Sequence, residues 1–109
     1  MFRQILPVVL GVSFVATAWA GDVSRPHEIL VKNEVVRAYS LGRFRITPSD
    51  VWSLSYVAND PARCSATVHG LARRPGRFGH ATYQFWVCIF GGQGGMLEAE
   101  LIDDQQVGD

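Results

Sequence analysis

The chain has 109 residues, with ten Lys and Arg against ten Asp and Glu and a hydrophobic share of 48%. Balanced charge excludes a globally basic binder of nucleic acid, and the length holds one small domain. Two cysteines, Cys64 and Cys88, allow a single bridge.

In chain order, an apolar run over residues 5–16 follows one charge, Arg3, and closes on Ala18-Trp19-Ala20. That small-x-small ending is the pattern a signal peptidase cuts, so residues 1–20 read as a secretory signal and 21–109 as one small exported domain. A retained anchor is the alternative, because residues 4–21 are uncharged. Pro7, Ser13 and Thr17 interrupt the run and no basic cluster follows it, which favours cleavage and no stable membrane span afterwards. Cleavage leaves 89 residues in which nine Lys and Arg face ten Asp and Glu. A domain of this size buries only about 60–65% of its unfolded surface and needs a staple. In an oxidising compartment, periplasmic or extracellular, the cysteine pair supplies it, and closing a loop of about 25 residues contributes about 3.5 kcal/mol.

Residues 26–41 place Val31, Val35, Ala38 and Tyr39 near helical spacing, with Ser24 to cap and Gly42 to stop, so a helix is expected. Extended chain turning at Lys32-Asn33-Glu34 is the competing reading. Residues 43–46 alternate as a strand. Thr47-Pro48-Ser49-Asp50 has the residues of a capping box opening a helix, or of a turn into a strand with Trp52, Leu54, Tyr56 and Ala58 on one face. The turn and strand are preferred, because three serines and two aromatics make a poor helical face; Asn59-Asp60-Pro61 ends the element.

Arg74-Pro75-Gly76-Arg77 carries Pro and Gly where a type II turn wants them. Folding back about Gly76 pairs residues summing to about 152 and sets Cys64 opposite Cys88. The arms are 64–71 and 81–90, the second rich in β-branched and aromatic residues and apolar on both faces. Gly91-Gly92-Gln93-Gly94-Gly95 reverses the chain into 96–102, which alternates apolar with charged. This pairing puts Leu97, Ala99 and Leu101 with Phe85, Val87 and Ile89 on the core face, and leaves Gln84, Trp86, Glu98 and Glu100 opposite. Trp86 is expected to be covered by the N-terminal element, with a partly exposed contact residue as the alternative. The fold class is α+β, a helix packed on an antiparallel meander of four to five strands with one disulfide across a hairpin; all-β is the alternative.

Charge is uneven: residues 37–77 carry seven arginines against Asp50 and Asp60, whereas 98–109 carry five acids and no base. Arg73, Arg74 and Arg77 form a basic tip able to grip a carboxylate or phosphate, and Tyr83 and Trp86 are its aromatic companions. A tip pinned by a disulfide is preorganised, which also suits insertion into an enzyme cleft. His27, His69 and His80 lack the spacing of a metal site, and in this hairpin His69 faces Tyr83 with His80 on the other side. No catalytic residue is singled out, since the cysteines are bridged and no nucleophile motif appears; the glycine-rich loop lacks the Lys-Ser/Thr of a phosphate loop. The expected protein is a secreted or periplasmic non-enzymatic binder, in its inhibitor form an enzyme inhibitor, that needs no cofactor. Its partner is a protein or an anionic envelope component. A structural or assembly subunit of an envelope complex is the alternative, with the apolar 83–90 strand covered by a neighbour.

Overall fold

The computed structural model describes residues 22–41, 45–58 and 60–108. The expected signal segment, the helix stop at Gly42, the start of the 43–46 strand and Asn59 lie outside the described residues.

The first element among the described residues is a helix, α1 (Arg25–Tyr39). The Ser24 side chain accepts from His27 N–H, Pro26 sits in the first turn where its missing N–H costs nothing, and Ser40 N–H closes the far end on Val36 O. Val31, Val35 and Tyr39, spaced by four, are the fully buried apolar stripe. Tyr56 anchors the start of α1, its hydroxyl accepting from Ser24 N–H at 2.9 Å and lying 2.9 Å from His27 Nδ1.

Four strands follow: β1 (Val51–Val57), β2 (Ala66–Gly76), β3 (Gly79–Gly91) and β4 (Leu97–Gly108). They form one antiparallel sheet in the order β1-β2-β3-β4, so the α+β meander expected from the sequence is the fold. α1 lies on one face. Its stripe packs with Val51, Val68, Ala72, Phe85, Val87 and Ile89 in a single core. Gly70 is required under Phe85: a Cβ there would stand 2.6 Å from both Phe85 Cζ and Leu54 Cδ2.

Several local expectations are corrected. The β2–β3 ladder pairs residues summing to 155, with Val68 opposite Val87, and the chain reverses at Arg77 and Phe78 between Gly76 and Gly79. A shift of three flips the relative faces of two strands. The 152 register would set Val68 against Gln84, whereas the observed one puts the apolar positions of both strands under α1. Pro75 and Gly76 therefore continue the strand, past the last β1 pair at Ala72, where a missing N–H takes nothing from β1. Gly79 closes the turn at φ 116°, a conformation strained for other residues.

Thr67, and not Cys64, is the ladder partner of Cys88. The disulfide nonetheless forms, with Cα atoms 5.4 Å apart. Arg63 and Cys64 N–H both donate to Asp60 O, turning the chain inward, and Ser65 fastens to Ile89 O through N–H (2.8 Å) and hydroxyl (2.9 Å). The bridge thus ties the β1–β2 connection to β3.

Arg45 and Ile46 are not strand, although Ile46 is buried. Thr47 to Asp50 combines both readings: Asp50 accepts from Thr47 N–H in a short 3-10 turn, Pro48–Asp50, that leads into β1. Trp52 does not share a face with Leu54 and Tyr56. Ser53, at φ 63°, makes a bulge opposite Gly70 that turns Trp52 to the other side. The last strand runs beyond 102 to Gly108, with bulges at Ile102 and Val107, and keeps Ala99 and Leu101 on the core face with Val87 and Ile89 as expected, whereas Leu97, opposite Gly91 past the end of the core, is exposed.

β4 is an edge strand, and a buried carboxylate takes up one of its amides: Leu101 N–H donates to Glu34 Oε2 at 2.8 Å, while Arg37 grips both Glu34 oxygens at 2.8 and 3.0 Å. Burial pushes the Glu34 carboxyl up, but the hydrogen bonds from Arg37 and Leu101 and the charge of Arg37 outweigh it, leaving it below its usual 4.5. A carboxyl depressed in the folded state stabilises fully above its unfolded value and loses that contribution as pH falls through the folded one. Melts from about pH 6 to about pH 3 should therefore fall less steeply for Glu34→Gln than for the natural chain, and parallel curves would count against this role.

Candidate functional site

The hairpin end of β2 and β3 projects past β1, and its apex is Arg77-Phe78. Phe78 is 82% exposed, more than any other large apolar side chain described, and Arg77 Cζ lies 5.6 Å from its ring. That ring is open to a partner at the point of the hairpin farthest from the core. Pro75-Gly76 has turn chemistry of its own and so conceals Phe78 in the sequence; the Gly79 that follows Phe78 is the signal for the observed turn.

The three arginines of the expected tip do not converge. Successive strand residues face opposite sides, so Arg73 and Arg74 part. Arg73 extends over the Trp52 ring at 6.0 Å on the face away from α1. Arg74 is half-buried on the α1 face, 4.3 Å from the Tyr83 ring and 5.5 Å from that of Tyr39, and donates from Nη2 to Tyr83 Oη at 2.8 Å. Tyr83 Oη in turn donates to Gln106 Oε1 at 3.2 Å. Burial, then the neighbouring Asp104 carboxylate, push the Tyr39 hydroxyl far up, so it stays neutral. Arg74 and Tyr83 thus fasten the root of the hairpin to α1 and β4, leaving Arg77 and Phe78 to make contact. A groove of about 530 Å³ runs along this side of the tip, lined among others by Arg74, Arg77, Phe78, His80 and Tyr83.

Tyr83 and Trp86 do not form one surface either. Trp86 faces away from α1 and is half-buried, with no element above it among the described residues, a correction to the expectation that the N-terminal element covers it. His69 stands 5.0 Å from its ring and bonds Gln84, which bonds Gln105. The register places His69 opposite Trp86, not Tyr83, and moves His80 to the same face as His69. Six residues of β3 separate His80 from Trp86, about 20 Å at strand rise. Among the described residues no three His, Cys, Asp or Glu side chains gather as metal ligands.

Residues 61–97 contain no Asp or Glu but hold Arg63, Arg73, Arg74 and Arg77. The acids of β4 pair far along the sheet, Asp104 with Phe85, Glu100 with Cys88 and Glu98 with Phe90. Asp104 is level with a point seven residues from Phe78, about 23 Å down the strand. Asp50, nearer the tip, is turned onto Thr47 N–H. Compared with protein families, curated protein sequences and solved structures, the chain has no match.

Proposed function

We propose that this chain is a small exported, non-enzymatic binding protein whose β2–β3 tip is the contact element. The observation that carries the reading is Phe78, 82% exposed beside Arg77 at the apex of a fully paired hairpin. Such a ribbon loses little conformational freedom on binding, so its contact surface is preorganised. Export is supported by the residue pattern of 1–20 and by a disulfide that suits an oxidising compartment. Among the described residues no helix is long and apolar enough to cross a membrane. The inhibitor form of the same reading has the tip enter an enzyme cleft.

The test is capture from envelope extract with immobilised domain and its R77E/F78S variant. Arg74 is left intact because it holds Tyr83. The natural domain should retain a component that the variant loses at unchanged melting temperature; equal capture by both would remove the tip from the account.

The sheet face away from α1 favours a second reading, an assembly subunit, because Trp52, Trp86 and Ile102 lie there without a covering layer among the described residues. Light scattering separates the two: a monomer that still captures its partner argues for the free binder, and a salt-resistant oligomer for assembly.

A further inference from the structure

We infer that the hairpin tip docks on an anionic phospholipid surface, with Phe78 entering the headgroup boundary and arginines around it meeting lipid phosphates. The inference rests on the proposed role of the tip and names its partner.

The arrangement of the cations selects this occupant. A single carboxylate or phosphate is gripped by guanidinium groups brought to one side. Here Arg73 lies on one face of the ribbon and Arg77 at the apex, while Arg74 on the other face is taken up by Tyr83, so the exposed guanidinium groups are not gathered around one small anion. A broad anionic plane engages separated cations such as Arg73 and Arg77 together. Phe78 projects beyond them, where an aromatic side chain enters the interface between headgroups and acyl chains. Residues 61–97 carry no carboxylate, and the acids of β4 begin about 23 Å down the strand; Asp50 is nearer and accepts from Thr47 N–H.

The probe is co-sedimentation with vesicles of phosphatidylcholine alone and of phosphatidylcholine with about 30% phosphatidylglycerol. The natural domain should pellet with the anionic vesicles, not with the neutral ones, and binding should collapse as salt rises toward about 1 M. A cation near an anionic leaflet contributes roughly a five-fold factor in partitioning, so R77E, which also reverses the charge, should weaken binding by at least about ten-fold. F78S should weaken it while leaving the salt dependence intact. M96S, at the exposed loop on the other end of β3, should change nothing. Circular dichroism and non-reducing gel mobility identify any variant that has lost the fold, and a charge-neutral R77Q then replaces R77E.

Absence of binding to anionic vesicles, equal binding to neutral ones, or natural binding by R77E and F78S would each overturn the inference. If vesicles are not bound but a lipid-free protein partner is captured through Arg77 and Phe78, the lipid assignment fails and the tip remains the contact element. If neither is bound, both fail.

Discussion

Replacing Cys64 and Cys88 together by Ser should lower stability by about 3.5 kcal/mol and the melting temperature by about 15–25 °C. The bridge joins residues 24 apart in sequence, and without it the unfolded chain regains the freedom of that loop. The loss is large for this chain because its core is one layer of α1 on one face of a sheet. It also falls where the structure has few substitutes: the β1–β2 connection reaches β3 through the disulfide and the bonds of Ser65 to Ile89 O. Both positions are buried, so the serine pair also leaves two hydroxyls in an apolar setting. Calorimetry of the double variant checks the size, and a shift of less than about 5 °C would mean that the bridge constrains little.

Phe85→Ala should cost about 3–5 kcal/mol. Phe85 is fully buried at the centre of β3, between α1 and Gly70, and its removal leaves a void that the paired backbone around it prevents from closing. The packing against Gly70 makes a sharper form of the prediction. Gly70→Ala alone sets a methyl 2.6 Å from both Phe85 Cζ and Leu54 Cδ2 and is destabilising; the Phe85→Ala background removes the first of these clashes and leaves the second. The double variant should therefore lose less than the sum of the singles, a coupling of about 1 kcal/mol or more in denaturant unfolding. Strict additivity would show that Gly70 is not held by this contact.

These two sites illustrate what the sequence makes legible. Val31, Val35 and the Ser24 cap specify α1 because capping and periodicity are local, and the alternation of Leu97, Ala99 and Leu101 specifies a strand with one core face for the same reason. The β2–β3 register is not local. Pro75-Gly76 has turn chemistry of its own, and only the demand that Val68, Gly70 and Ala72 meet Val87, Phe85 and Tyr83 under a helix 30 residues upstream moves the reversal to Arg77-Phe78. Trp52 turns outward because of one unusual φ at Ser53, a residue with no sequence signal for it.

The site was legible to the same extent. A basic hairpin end follows from composition, but the division of labour within it depends on partners distant in sequence. Tyr39 and Gln106 draw Arg74 and Tyr83 into holding the hairpin, and the corrected turn brings Phe78 to the apex. Removing α1 from the picture would make Arg74 look as available as Arg77.

The central claim is that this chain meets its partner through the apex of the β2–β3 hairpin. A photo-crosslinking phenylalanine analogue placed at Phe78, and separately at Met96 at the other end of β3, tests it in cells that make the protein. Both side chains are exposed, so reactivity reports proximity and not accessibility. The account predicts adducts, to lipid or protein, from position 78 and few from 96; adducts from 96 with none from 78 would contradict it.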